Sequence, residues 1–562
     1  MQLNDPATSA RASRRVGQKE LERGHWEEAR TQFERAIKIE DTAEGQEGLA
    51  TAAYFLEDVD AVFAARERAF ALHDQRGDRA AAAAVAVQIV TDVMDYRPDS
   101  VVADGWLGRA ARLLEDHEPV REHAILAVLR GHQALMADHD IARARTLAAE
   151  ALGIARNTRA KDVEMLALAL DGLAAVSSGD VAQGMALLAE ATATATSGEV
   201  RDIHMAASAC CYLIHACDRV RDFPRAAEWC ERVTAFCRRW RFASMFTICR
   251  TQYASVLMAQ GNWDQAEAEL LAALGDFEAL RPALAGSAST RLALLRVRQD
   301  RLEEAAALLA KAPAHRLEPL VQAELSLARG EAASARDHAA RYLARVGETD
   351  RTERIAGLEI LTLAAARAGD AKTAAEAARE LKETADRVGT DALHGAALAA
   401  AGELEEDTAK ASKLLRSAVD AFDRAGMSWH AARCRCSLAT VMAHEGTTGQ
   451  ARNEATLAAA VFELLGAASD LVIARRLAGD PTRMIAAPPA VPAKPASPSP
   501  LSSREVEVLR AVASGAGDRE VAERLFLSPH TVHRHVANIL LKLEVPTRAA
   551  AVAAASKLGL LA

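Results

Sequence analysis

The stretch GHWEEARTQFERA, Gly24 to Ala36, reads as a helical hairpin. Gly24 suits a tight turn between two helices, because a residue without Cβ takes backbone angles that others avoid. Ala29 and Ala36 let helices approach closely, and Phe33 fills the space between them. The spacing recurs as Gly261, Trp263, Ala266, Leu270 and Ala273 in GNWDQAEAELLAA. It returns as Asp300, Leu302, Ala305, Leu309 and Ala312 in DRLEEAAALLAKA. Weaker copies start near His139, Gly179, Asp222, Gly330, Gly369, Asp407 and Gly446. Most steps are about 38 to 43 residues, and the step from Asp300 to Gly330 is shorter. One hairpin cannot bury its apolar face alone, so neighbours stack into a solenoid. The pattern predicts an all-α array over residues 12–475.

Composition agrees. A chain of 562 residues exceeds a single core, and 4% aromatic content with abundant alanine favours close-packed helices over sheets. The period exceeds the 34 residues typical of tetratricopeptide repeats, but the turn glycine and the alanine–large–alanine pattern resemble that family, best near Gly24 and Gly261. The resemblance implies a recognition surface for a protein, peptide or small-molecule effector. A solenoid that only spaces or dimerises the rest of the chain is the alternative. Trp26 and Trp263 occupy equivalent repeat positions and read as core.

No segment reads as a targeting signal, and the longest apolar run, Ala80 to Val87, is far too short to span a bilayer. The expectation is a cytoplasmic protein with no membrane partner, and its eight cysteines are expected to be reduced thiols. Six of them lie between Cys210 and Cys249. Cys210 with Cys217, and Cys230 with Cys237, share helix faces that one hairpin would bring together. Small buried residues filling alanine-like positions explain them; a metal or redox site is the alternative. In His430, Cys434 and Cys436, helical geometry puts the two thiols on different faces. No nucleophilic triad or paired carboxylates stand out, so neither an enzyme nor a cofactor is expected.

After Arg475 the helical pattern fades, and Gly479, Asp480 and Pro481 are stop signals. APPAVPAKPASPSP, Ala487 to Pro500, sustains neither helix nor strand, because proline lacks the amide donor and fixes φ. Residues 476–500 are therefore expected to be a linker. It isolates residues 501–562 as a small domain of four short helices. Ser502 or Ser503 caps the first, Asp518 the second, Ser528 with Pro529 the third, and Thr547 the fourth.

The third helix is the informative one. Val532, Val536, Ile539, Leu540 and Leu543 form one face at spacings of three and four and must pack inward. The opposite face carries His530, His533, Arg534, Ala537 and Asn538. A helix of this size fits the major groove of duplex DNA, where Arg534 can bind guanine O6 and N7 and Asn538 can read adenine. Lys542 and Arg519 suit phosphates. The run resembles the LuxR-type helix-turn-helix family. It has LSSRE at Leu501 to Glu505, VAERL at Val521 to Leu525 and LSPHTV at Leu527 to Val532, including Ser528, His530 and Thr531. NILLKL follows at Asn538 to Leu543 and TRAAA at Thr547 to Ala551.

That resemblance implies a four-helix domain binding double-stranded DNA as a homodimer, with its two-helix motif at about 518–537 and RNA polymerase a further candidate partner. The family usually has lysine where His533 stands, so binding is expected to be weaker or pH-sensitive. The chain is similar to large ATP-binding LuxR regulators, but it contains no Gly-Lys pair and so no phosphate-binding loop of that type. The whole chain carries a formal charge of −9, which argues against general affinity for nucleic acid. Residues 501–562 hold eight Lys/Arg against six Asp/Glu, a mild excess that makes pairing of two copies necessary for useful affinity. The sequence thus points to a transcriptional regulator; a helical-repeat scaffold with minor DNA binding is the alternative.

Overall fold

The computed structural model describes residues 6–97, 99–200, 202–240, 242–311 and 315–479. In the C-terminal segment it describes 501, 503–513, 517, 520–521, 524, 532, 536, 539, 542–543, 545 and 548–557. The chain divides into two compact units, Met1–Met484 and Ile485–Ala562. Every regular element among the described residues is helical.

The first unit is a run of twenty-five α-helices from Pro6–Arg23 to Ala468–Ala478. They pair in order into twelve antiparallel hairpins with one helix left over, and each packs on its sequence neighbours. Among the described residues the helices of this unit run from Pro6 to Ala478. Residues 480–500, which include most of the expected linker, lie outside the described residues.

Local chemistry sets the punctuation. Most hairpins turn on a residue in the left-handed region, among them Gly24, His139, Gly179, Arg221, Gly261, Asp300, Gly330, Gly369 and Gly446. Asp58, Asp78, Asp99, Asp140, Asp202, Asp370 and Asp407 then cap the helices that follow, each accepting from a backbone N–H two or three residues on. This satisfies donors that a helix leaves open at its start. Two hairpins, with turns at Glu57 and near Asp99, escaped the repeat pattern.

The two helices of a hairpin differ in burial. Lys161–Ser178 is buried on nearly every side, at Val163, Leu166, Leu170, Leu173 and Val176 among others. Ala371–Val388 buries only one stripe, Ala374, Ala377, Leu381, Thr384 and Ala385. In several hairpins the first helix is the more deeply buried, as in Arg79–Tyr96 against Ser100–Leu114 and Arg351–Arg367 against Ala371–Val388. In the opening motif Trp26, Ala29, Phe33 and Ala36 are all buried, as are Trp263, Ala266, Leu270 and Ala273 in its copy.

Successive turns of the array also touch. Trp26 Nε1 donates to the Trp240 carbonyl at 2.9 Å across 214 residues, and Thr390 Oγ1 donates to the Val220 carbonyl across 170. At Gly261 a Cβ would stand 2.6 Å from Ser428 Oγ, so a glycine there serves the close approach of a later turn as well as its own bend. No helix among the described residues is long and apolar enough to cross a membrane.

Candidate nucleic-acid interface

The C-terminal unit has its own apolar core. Val508 and Leu509 of the helix Ser503–Ala513 pack with Ala551 and Ala555 of the helix Arg548–Lys557. Between them Val521, Val532, Val536 and Ile539 are buried in the same cluster, with Leu501 closing it. The inward face expected for the third helix is thus present at Val532, Val536 and Ile539, with Leu543 half-buried against it. Leu540 lies outside the described residues. The backbone at 532, 536, 539 and 542 is helical, and Leu543 N donates to the Ile539 carbonyl at 3.0 Å.

The start of the second helix differs from expectation by one residue. Val521 N donates to the Gly517 carbonyl at 2.9 Å, and Glu520 Oε2 accepts from Gly517 N at 3.0 Å. Gly517 therefore holds the cap position, with Glu520 reaching back three residues as in a capping box. Asp518, the expected cap, lies outside the described residues, as do Ser502, Ser528 and Thr547.

Of the residues expected to contact DNA, Lys542 is described: it is helical and exposed. Arg519, Ser528, His530, Thr531, His533, Arg534 and Asn538 lie outside the described residues. What the structure contributes is the anchoring side. Val532, Val536 and Ile539 are buried and fix this helix to the core of the unit. Arg510 and Arg524 are exposed on the same small unit.

The cysteines sit in the other unit and are packing residues by environment. Cys210, Cys217, Cys230 and Cys237 are buried in the hairpin Ile203–Val220 and Phe223–Trp240. Burial pushes the Cys210 and Cys217 thiols up to about 12 and raises Cys230 as well, which keeps them protonated and unreactive at neutral pH. No group of three or more His, Cys, Asp or Glu able to hold a metal occurs among the described residues. Of His430, Cys434 and Cys436, the two thiols belong to different apolar clusters. All three line one cavity of about 290 Å³, because an inner helix meets that space over a broad arc of its surface.

Comparison with known proteins concentrates on the small unit. The family described as bacterial regulatory proteins, luxR family, matches residues 499–555. The nitrate/nitrite response regulator protein homolog of Haemophilus influenzae is 45% identical over 51 residues, 9% of this chain and 24% of the relative. The fimbriae Z protein of Salmonella typhimurium is 54% identical over 44 residues, 8% of this chain and 21% of the relative. The uncharacterized transcriptional regulatory protein YhcZ of Bacillus subtilis is 45% identical over 60 residues, 11% of this chain and 28% of the relative. The chain thus spans about a quarter of the length of these curated relatives. Among solved structures, the APC/C hetero-tetramer Cut9–Hcn1 matches with a TM-score of 0.35 and 13% identity, over 84% of this chain and 97% of that one. The Rap protein complexed with competence and sporulation factor matches with a TM-score of 0.35 and 11% identity, over 78% and 99%. Likenesses that loose set neither geometry nor partners. The match at the C-terminus is specific, and residues 499–555 are a LuxR-type helix-turn-helix domain of the bacterial regulatory proteins.

Proposed function

We propose that this protein is a sequence-specific DNA-binding regulator of transcription, acting in the cytoplasm. The observation that carries the reading is the match of residues 499–555 to the luxR family, on a unit with its own packed core. The third helix enters the major groove. Arg534 and Asn538 read base edges, His530 and His533 donate to bases or phosphates, and Arg519, Ser528, Thr531 and Lys542 hold the backbone. The local charge excess is small, so two copies bind together. RNA polymerase is the partner through which bound protein changes promoter use. The helical repeats sense an effector or hold the dimer, and no reaction is assigned to the chain.

Gel shift against genomic fragments tests this. Arg534→Ala should lose about 1–3 kcal/mol at a preferred site and blur the choice between fragments. Lys542→Ala should weaken all fragments alike and reduce the salt slope by about one. Full selectivity in Arg534→Ala removes base reading from that residue. No selective shift by the wild-type chain returns the protein to a repeat scaffold.

A further inference from the structure

The inner helices carry charge into the array. A cavity of about 200 Å³ is lined by five arginines, Arg219, Arg221, Arg291, Arg298 and Arg316. Asp218 and Glu353 line it too. Three of the arginines are matched: Arg219 with Asp350 at 2.8 Å, Arg316 with Glu353, and Arg221 with Glu359. The other two make no ion pair among the described residues. Arg291 is 4% exposed, and its partners are neutral: Ser255 Oγ at 2.8 Å, Ser287 Oγ at 2.7 Å and Gln252 Oε1 at 3.1 Å. Arg298 lies over the Trp429 ring, 4.6 Å from its centroid, and its Nε makes no hydrogen bond. Counting Asp350 and Glu359 behind the wall, five carboxylates act on the five guanidiniums, but Asp218 on Arg291 and Arg316, and Glu324 on Arg298 and Arg221, do so at longer range than an ion pair.

Two histidines report the local field. His215 Nε2 lies 3.1 Å from Arg316 Nη2, and since a guanidinium only donates, that ring nitrogen is unprotonated and accepts. Burial, with Arg316, Arg219 and Arg291 nearby, holds His215 well below the ordinary imidazole range. Burial, with Arg298, Arg221 and Arg433, does the same for His430, and burial brings Arg316 itself down to about 10. His430 also lines the adjoining cavity of about 290 Å³, so the two spaces share a wall residue.

A buried cation without a counter-ion is costly, and a guanidinium presents a planar fork suited to carboxylate and phosphate oxygens. We propose that this cavity binds a small molecule bearing a carboxylate or phosphate group, with Arg291, Arg298 and Arg316 as the residues that hold its oxygens. Asp218 and the shared Glu353 limit it to one or two negative charges. The cavity wall draws on the helices Ile203–Val220, Ala285–Arg298, Arg351–Arg367 and Ser428–His444 and on the turn at Arg316, so the ligand ties together separated parts of the array. The site rests on the array alone and stands whether or not the C-terminal domain binds DNA; if it does, this is the chemical class of its effector.

Titration calorimetry on the full chain, with inorganic phosphate, glycerol phosphate, acetate and succinate as separate probes, tests the proposal. At least one should bind saturably, once per chain. Stronger binding by the two carboxylic acids identifies a carboxylate ligand, and stronger binding by the two phosphates a phosphorylated one. Arg291→Gln and Arg298→Gln should each weaken it by about tenfold or more, whereas Arg424→Gln, which alters an exposed pair with Asp391, should leave it unchanged. Removing an unpaired buried charge should leave the fold intact, which circular dichroism checks, and two variants guard against one failing. No saturable binding by any probe, or wild-type affinity in both Gln variants, overturns the site. Anion binding in a chain that shifts no DNA overturns the regulator reading and leaves this one standing.

Discussion

Phe33 shows how much depends on a single ring in the opening motif. It is 2% exposed, and its ring fills the space left by two glycines of neighbouring helices, Gly17 and Gly48. A Cβ at Gly48 would stand 2.2 Å from two of its ring atoms, far inside van der Waals contact. The glycine and the aromatic residue are therefore one packing unit, written at two positions fifteen residues apart. Gly48→Ala should destabilise the array by about 1–3 kcal/mol through overpacking. Phe33→Leu in the same chain should recover part of that loss, because the smaller side chain vacates the contested space. Urea midpoints of the two single variants and the double variant measure the coupling; strict additivity would show that the ring simply moves aside.

Between elements, charged clusters do what the apolar stripe does within a hairpin. Glu267, on the helix Trp263–Leu280, lies 2.7 Å from Arg296 Nη1 on the helix Ala285–Arg298 and 3.4 Å from Arg301 Nη1. The hydrogen bond from Arg296, helped by Gln299 and the charge of Arg301, holds its carboxyl down at about 2. A carboxylate whose pKa falls on folding stabilises the folded chain above its unfolded value of about 4.3, and the contribution fades as pH drops towards about 2. Glu267→Gln should therefore lower the melting temperature at pH 7 and show a smaller further drop between pH 5 and pH 2.5 than wild type. Parallel pH profiles of the two would detach Glu267 from the acid sensitivity. The caps follow the same local logic: seven aspartates sit where a turn hands over to a helix, and each accepts from a backbone N–H that the helix leaves open.

Across the first unit, contacts between successive turns of the array hold together residues that no repeat pattern relates. Asp350 is fully buried at such a junction, where Arg219 Nη1 donates to it at 2.8 Å and His139 Nδ1 lies 2.9 Å away. His139 and Asp350 are 211 residues apart. Asp350→Ala should cost about 3–5 kcal/mol, because it leaves Arg219 buried with only Glu353 beside it. It should also broaden the unfolding transition, since a plain stack of repeats unfolds less cooperatively than one whose turns lock. A sharp transition with unchanged midpoint would show that these junctions carry no stability.

The sequence by itself determined what depends on short range. Gly24, Gly261 and the alanine–large–alanine spacing specify hairpins, because helical periodicity and turn chemistry act over a few residues. Val532, Val536 and Ile539 specify the buried face of the C-terminal helix by the same periodicity, and the luxR motifs around them identify the domain. The turns at Glu57 and near Asp99 were illegible, because the helices they join lack the spaced glycine, large residue and alanines that mark the other copies. The gathering of Arg291, Arg298 and Arg316 at one cavity was equally hidden. Each of those arginines reads as an ordinary solvated charge in its own segment, Arg291 and Arg298 in one helix and Arg316 in the turn before Glu318. Only the tertiary structure decided otherwise, because the way the array winds, set by the sum of many small packing angles, determines which distant charges are brought inside together.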